Sequence, residues 1–318
     1  MREKILGLLK NTDGYISGEK ISEKLNISRA AVWKHIKKLR DDGYEITSVT
    51  NKGYCLVNAP DIISPEIIKE NLTTKFIGQN IFFCDTINTT NDWAKANCEK
   101  PDGSVFIAEV QTNGKGSRGR GWTSPRGTGI WHTILLKPHI SPTEVSQITL
   151  IAGLAACQAI GMNSMIKWPN DIVIDGKKIS GTLTEMSSEI DMVNYVVCGI
   201  GINVNTAEFP DEIKDKATSM YIEQNKKFER NEIISKLLNS FEHYYNLFIT
   251  EGLPSIMDDY RKNCVTIGRE VQVLFNKETV RGLAVDVDDD GQLVVETDSG
   301  RIHVTSGEVS VRGIYGYI

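Results

Sequence analysis

The chain has no long apolar run, no paired cysteines and, from Val110 to Thr143, no acidic side chain. No apolar segment approaches the roughly 18 residues that would suggest a membrane span. The start, Met1-Arg2-Glu3-Lys4, lacks the apolar region of a signal peptide. Cys55, Cys84, Cys98, Cys157, Cys198 and Cys264 are scattered without a C-x-x-C pair, which excludes a disulfide scaffold and a zinc-finger spacing. A reducing compartment, the cytoplasm, is therefore expected, with no membrane partner. The five histidines form no obvious triad with a serine or cysteine, so a covalent serine or cysteine hydrolase is disfavoured. Internal repeats and low-complexity tracts are absent too.

At 318 residues the chain is long enough for about two domains and more than one core. Its net charge of −5 hides an asymmetry. Residues 1–60 hold eleven Lys/Arg and seven Asp/Glu, or +4, so the remainder carries −9. A small basic segment on an acidic body points to nucleic acid at one end only.

That segment reads as three short helices and a hairpin. Ile5, Leu8 and Leu9 give one helical stripe, and Ile21 and Leu25 a second after the cap-like Ser17. Val32, Ile36 and Leu39 give a third, starting at Ser28. Strand-like runs at 44–49 and 54–57 flank Asn51-Lys52-Gly53, a turn signal. If the third helix packs through its apolar stripe, Ser28, Arg29, Lys34, Lys37 and Lys38 face outward, and Lys52 tips a wing. One basic helix alone is more often a solvated surface. The order helix, helix, turn, helix, hairpin favours a winged helix-turn-helix that binds DNA.

Beyond Asn58-Ala59-Pro60-Asp61, a linker-like stretch, strands and helices mix to about residue 265. Strands are expected at Ser104–Val110, Ile130–Lys137 and Val193–Gly199, and a hairpin around Asp175-Gly176-Lys177. Val145–Ile160 reads as a buried helix and Glu229–Ile249 as a long amphipathic one. After Gly268 come short strands punctuated by Asp290-Gly291 and Asp298-Ser299-Gly300, expected to build a small β-barrel or sandwich. The expected domains are 1–61, 62–267 and 268–318, in an α+β chain with a mixed α/β centre.

The most informative stretch is Gln111–Trp122. Gly114, Gly116 and Gly119 match G-x-G-x-x-G, but no helix opens through Gly121, Pro125, Gly127 and Gly129, and the ribose-binding acid is missing. Gly114 and Gly119 have P-loop spacing, yet Arg120-Gly121 replaces the Lys-Ser/Thr pair. Both dinucleotide and P-loop readings fail. What is left is a glycine-rich backbone with Lys115, Arg118, Arg120, Arg126 and Lys137 and nothing acidic. Such a loop can turn several N–H groups and guanidinium groups toward one anion. A solvated surface loop is the equal alternative on this stretch alone. Trp122 offers a flat face for an adenine.

The loop resembles the glycine-arginine signature of biotin–protein ligases. Four further motifs match in the family's order: Thr89-Thr90-Asn91, Lys167-Trp168-Pro169-Asn170-Asp171, Lys178-Ile179-Ser180-Gly181, and Gly199-Ile200-Gly201-Ile202-Asn203-Val204-Asn205. With its basic N-terminal domain and small C-terminal β domain, the chain resembles the repressor-type members over essentially its whole length.

The resemblance implies a catalytic domain of the biotin/lipoate ligase type and a C-terminal SH3-like barrel. It implies that biotin and ATP, with Mg2+, give biotinyl-5′-AMP and pyrophosphate. Biotin then passes to a lysine of the biotin carboxyl carrier protein of acetyl-CoA carboxylase. By similarity Lys178, Arg118 and Arg120 are catalytic. Biotin is held by Thr89, Thr90, Asn91, Gln111, Gly114, Lys115, Gly116, Ser117, Lys178, Gly181, Gly199 and Gly201. The adenylate is held by Lys115, Arg118, Arg120, Trp122, Asn170 and Asn203, and Asp171 meets the metal. Thr206–Lys227 looks like a loop that orders over the nucleotide. Adenylate-bound homodimers then bind operator DNA and repress genes for biotin synthesis or transport. Many members carry arginine where Lys115 and Ser117 stand. Lysine keeps the charge but not the planar fork, and serine removes a cation, so a looser grip on the adenylate, or compensation by Arg118, is expected. Rival readings are a lipoate ligase-type acyltransferase and a biotin-sensing regulator without catalysis.

Overall fold

The computed structural model describes residues 1–41, 44–58, 61–116, 119–275, 278–306 and 310–313. It divides into two compact units, Met1–Ile62 and Ile63–Ile318.

In the first unit, helices α1 (Arg2–Lys10), α2 (Gly18–Leu25) and α3 (Arg29–Asp41) precede an antiparallel hairpin, β1 (Glu45–Val49) and β2 (Gly53–Asn58). Ile5, Leu9, Ile16, Ile21, Val32, Ile36, Leu39 and Ile46 form its core. These are the stripes the 3.6-residue period put on each helix, now facing one another. The Ser17 hydroxyl caps α2 by accepting from Lys20 N at 3.1 Å, and Asn26 ends it in the left-handed region. Gly53, at φ 105°, lies so close to the Ile16–Ser17 backbone that a Cβ would sit 2.1 Å from the Ile16 carbonyl. Glycine is therefore required where the hairpin docks onto the strand-like Ile16, which exchanges backbone bonds with Tyr54.

The second unit opens with α4 (Pro65–Glu70) and is built on a seven-stranded sheet: β3 (Ile81–Ile87), β4 (Ser104–Gln111), β5 (Gly129–Leu136), β6 (Met165–Lys167), β7 (Asp171–Ile174), β8 (Lys177–Ser188) and β9 (Val193–Asn203). The spatial order is β3-β4-β5-β9-β8-β7-β6, with β3 and β4 parallel and the other pairs antiparallel. Helix α5 (Thr90–Lys95) follows β3, and its Ala94 packs with Phe106, Leu135 and Val197 on one face. The other face is covered by α6 (Val145–Ile160), which is uncharged and apolar nearly all round and so is buried as a core helix. The expectation about apolar runs is corrected here. Among the described residues Pro142–Ile160 is long and apolar enough to cross a membrane, with a mean hydropathy of 1.2, and it is mostly buried inside the protein. The short α7 (Met220–Gln224), the long α8 (Arg230–Glu251) and α9 (Pro254–Asn263) complete the unit's helices, α8 and α9 packing on α6.

The chain ends in a five-stranded antiparallel sheet of β10 (Glu270–Phe275), β11 (Glu278–Val287), β12 (Leu293–Thr297), β13 (Gly300–Val304) and β14 (Ser310–Gly313), in the order β13-β12-β11-β10-β14. Among the described residues β13 and β14 are its two edges, and the sheet is small and antiparallel as expected.

Candidate active site

A cleft opens on the α5 side of the central sheet, and residues from four of the five sequence motifs that carried the resemblance line it. Its floor is bare backbone. Adjacent strands place Trp131 beside Gly201 and Gly201 beside Gly181, while Thr133 lies beside Gly199. A Cβ at Gly199 would come within 2.1 Å of Asn91 Oδ1, and one at Gly201 within 2.7 Å of Trp122 Nε1. The glycines are what let side chains from elsewhere lie against the sheet.

One wall is a continuous chain of hydrogen bonds. Thr89 caps α5 by accepting from Asp92 N at 3.2 Å, which leaves Thr90 and Asn91 buried at the helix start. Gln111 Oε1 accepts from Thr90 N at 2.9 Å and from its hydroxyl at 3.1 Å, while Gln111 Nε2 donates to Ser124 Oγ at 2.9 Å. The Thr133 hydroxyl lies 2.8 Å from Thr90 Oγ1 and 2.6 Å from Asn91 Oδ1. Asn91 Nδ2 donates to Glu185 Oε2 at 2.8 Å and to the Leu183 carbonyl at 3.2 Å. Glu185 in turn holds Lys95 at 2.6 Å. A wall whose polar groups already have partners is rigid, and it presents fixed donors and acceptors to a ligand.

The described ends of the glycine-basic loop pair with each other, Lys115 opposite Gly121. Trp122 N donates to the Gly114 carbonyl at 2.8 Å and Gly116 N to the Arg120 carbonyl at 2.7 Å. Gly114 has no room for a side chain, since a Cβ would meet the Trp122 carbonyl at 2.3 Å. The indole of Trp122 lies over Gly201 and Gly181, edge-on to Trp131 with centroids 6.4 Å apart, and its buried Nε1 has no protein partner. Lys115 reaches out of the loop to Asp92, at 2.7 and 3.0 Å, and that carboxylate raises the lysine's pKa. Arg120 is exposed. Ser117 and Arg118 lie outside the described residues.

Lys178 sits opposite. Its ammonium is 2.5 Å from Asp171 Oδ1 and 5.4 Å from the Trp122 ring centroid, both charged partners being about a quarter exposed. A cation there is shielded enough to act strongly and open enough to meet an anion. The strand segment carrying it is pinned by the 206–219 stretch. Lys178 N donates to the Lys216 carbonyl at 2.7 Å and Thr218 N to the Lys178 carbonyl at 2.9 Å. Asn203 is buried and donates to the Thr218 carbonyl at 3.2 Å, so it holds the same stretch. Asn170 donates to the Thr182 carbonyl at 2.8 Å. Asp171 is a single carboxylate, and among the described residues no group of three or more His, Cys, Asp or Glu side chains could hold a metal. These residues fit a hard cation carried mainly by phosphate oxygens, not a protein-built cage.

The Lys167–Asp171 motif is also tied to the β11–β12 turn, to Thr266 ahead of β10 and to α9. Trp168 Nε1 donates to the Gly291 carbonyl at 3.1 Å, Trp168 N to Thr266 Oγ1 at 2.9 Å, and Tyr260 Oη to the Pro169 carbonyl at 2.7 Å. Behind the floor, Glu109 and Arg230 form an ion pair at 3.0 Å that is almost wholly buried. Glu109 also accepts from Gly127 N at 2.7 Å, at the far end of the loop.

The sequence reading missed Thr133, Asp92, Lys95, Glu185, Ser124 and the Glu109–Arg230 pair. Thr133 and Glu109 are hidden in apolar strands, and a buried polar residue in such a run is the one signal that points to them.

In the first unit, Arg29, Lys34, Lys37, Lys38 and Lys52 are all exposed. The hydroxyl of Ser28 is occupied as a cap of α3, accepting from Ala31 N at 3.1 Å.

Three family models match in the order of these parts. They are "HTH domain" over residues 1–55, "Biotin/lipoate A/B protein ligase family" over 83–203 and "Biotin protein ligase C terminal domain" over 266–312. The chain is 40% identical over 305 residues to the bifunctional ligase/repressor BirA of Bacillus spizizenii, covering 93% of this chain and 94% of that one. The chain belongs to the bifunctional biotin–protein ligase/repressor family. The corresponding Escherichia coli protein is 28% identical, covering 97% of this ligase and 96% of its own length. Among solved structures, the biotin protein ligase of Aquifex aeolicus in complex with biotin and ATP matches with a TM-score of 0.66 at 29% identity. That match covers 74% of this chain and 99% of that one. The ligase's cleft is thus lined by residues of the matched ligase family segment, and its basic first unit is the matched DNA-binding segment.

Proposed function

We propose that this protein makes biotinyl-5′-AMP in the central cleft and passes biotin to a lysine of the biotin carboxyl carrier protein of acetyl-CoA carboxylase. Its first unit, about 1–61, binds operator DNA as a biotinyl-AMP-responsive homodimer that represses genes for biotin synthesis or transport; residues 62–267 form the ligase domain and 268–318 a C-terminal domain. The observation that carries the chemistry is the Lys178 ammonium at the cleft, beside a floor stripped to backbone at Gly181, Gly199 and Gly201.

A carboxylate oxygen of biotin attacks the α-phosphorus of ATP and pyrophosphate leaves. The obstacle is repulsion between two anions. Lys178 exchanges Asp171 for the biotin carboxylate and the bridging oxygen, and follows the charge as it builds. Lys115, Arg118 and Arg120 take the phosphates, with Asn170 and Asn203 supporting the nucleotide and Trp122 giving it an aromatic face. Asp171 would hold the magnesium that accompanies ATP, and that ion would supply positive charge to the phosphates. Gln111, Thr89, Thr90 and Asn91, with the backbone of Gly114 to Ser117, orient biotin against the glycine floor. In the second step the carrier's amine attacks the acyl carbon, AMP leaves, and the amine gives up its proton. Because Lys115 is braced by Asp92, it offers a preorganised single charge where an arginine would offer a fork.

The test incubates the full chain with biotin, magnesium-ATP and a biotin-carrier domain and weighs the carrier by mass spectrometry. A gain of one biotin, lost in Lys178→Ala, supports the reading. Lipoate transferred in its place refutes it in favour of an acyltransferase. Pyrophosphate release that never depends on biotin refutes it as well.

A further inference from the structure

We propose that Trp33 reads thymine in the operator, its indole lying against thymine methyl groups in the major groove while the lysines around it take phosphate. This rests on the DNA-binding reading of the first unit and names what gives that reading its sequence preference.

Trp33 is the largest side chain on α3, and it is 56% exposed. The helix has room in its buried stripe only for Val32, Ile36 and Leu39, and the indole points away from it. An indole normally goes into a core, where its large apolar area contributes most. Here the neighbours at helical spacing are Arg29, Ala30 and Lys37, all exposed, which place one aromatic ring and one methyl group in a basic strip. The Lys37 ammonium stands 5.8 Å from the ring centroid. From Arg29 to Arg40 the helix carries no acidic residue. An apolar face ringed by cations is complementary to a polyanion that presents apolar spots, and not to a neutral partner or a second copy of the same helix.

The major groove is such a surface. Its phosphates hold lysines in register without encoding sequence, and its distinctive apolar feature is the C5-methyl of thymine. Of the residues proposed for DNA on this helix, Arg29 and the lysines are cations, and Ser28 is spent on the helix cap. None of them offers an apolar face to a base. Trp33, with Ala30 one turn before it, supplies a surface whose contact depends on which base is present.

The test uses the full chain with biotin and magnesium-ATP. A preferred duplex is first selected from a random pool and its affinity measured by fluorescence anisotropy. Each thymine is then replaced in turn by deoxyuracil, which deletes only the methyl group. The wild type is expected to lose about fourfold per contacted methyl, the factor that follows from burying one such group. Trp33→Ala binds the thymine duplex more weakly and no longer distinguishes it from the deoxyuracil one. Its salt dependence is unchanged. Lys37→Ala weakens both duplexes equally and lowers the salt slope by about one. Ligase activity of Trp33→Ala, read in parallel, stays at the wild-type level and shows that the chain is folded. Full deoxyuracil sensitivity retained in Trp33→Ala overturns the proposal, as does a wild type indifferent to every substitution. A wild type that binds no duplex at any salt overturns the DNA-binding reading itself, which is a different failure.

Discussion

The buried Glu109–Arg230 pair gives the sharpest test of how the cleft is held. Arg230 begins α8 and is 1% exposed, and Glu109 on β4 is 6% exposed. The guanidinium also donates to the Gly129 carbonyl at 3.1 Å, and Glu109 accepts from Gly127 N at 2.7 Å. In Arg230→Met the carboxylate keeps the Gly127 bond and loses its counter-charge inside the protein. Removing one member of a buried pair costs about 3–5 kcal/mol, because the remaining charge is uncompensated. For a domain of this size that corresponds to roughly 6–20 °C in Tm, at roughly 2–4 °C per kcal/mol. The double variant Glu109→Gln with Arg230→Met removes the charge but leaves an amide oxygen for Gly127, so it recovers about half of the loss. Differential scanning calorimetry of the three proteins measures both steps. Because the Gly129 carbonyl, at the end of the segment that contains Gln111–Trp122, also loses its donor, the single variant raises KM for biotin, while carrier transfer at saturation stays closer to normal. A single variant within 2 °C of wild type, or a double variant no more stable than the single (about 2 °C being the resolvable shift at this size), refutes the reasoning.

Two further outcomes follow from the site. His132 on β5 is buried with neither ring nitrogen bonded, and burial pushes its pKa down from 6.5 to about 4. The unfolded chain takes up a proton as pH falls through the ordinary value and the folded chain does not. This stability is whole above 6.5 and drains away between 6.5 and about 4, by roughly 3 kcal/mol at about 1.4 kcal/mol per pH unit. Urea melts of the wild type at pH 7 and pH 5 show about 2 kcal/mol of that loss, and His132→Leu flattens it; equal slopes in the two proteins would count against it. Gly199→Ala and Gly201→Ala separate rigid from yielding neighbours. The new methyl at 199 meets Asn91, which Glu185 and Leu183 hold on its far side, whereas at 201 it meets a Trp122 ring on a loop. Gly199→Ala therefore costs about 1–3 kcal/mol of stability, and Gly201→Ala mainly weakens biotin binding, as thermal melts and calorimetric titration would show. Equal melting of the two would defeat this.

Local pattern was enough to place most of the elements. Val145–Ile160 coincides with α6 because a helix apolar all round has no place but a core. The stripes on α1 to α3 followed from the 3.6-residue period, and the glycine-basic loop stood out because acidic residues vanish around it. Strand ends were harder to read. β9 runs on from Gly199 to Asn203, and the alternation of glycine with isoleucine hides where a strand becomes a site floor.

The sequence by itself determined the basic first unit and the chemical inventory of the cleft. Each follows from composition or from contacts between near neighbours in the chain. Only the tertiary structure decided which members of that inventory meet. Asn91 is joined to Glu185, and Trp168 to Gly291, across long stretches of chain that no periodicity reports. Trp122 found its place over Gly181 and Gly201 because the antiparallel strands β8 and β9 set these two glycines side by side. Lys178 is paired with Asp171 by the turn of the β7–β8 hairpin and held by residues 216–218 from beyond the sheet. The physical reason is common to all of them. A buried polar group must find a partner wherever the fold brings one, and that choice is made in space after the chain's local preferences have been satisfied.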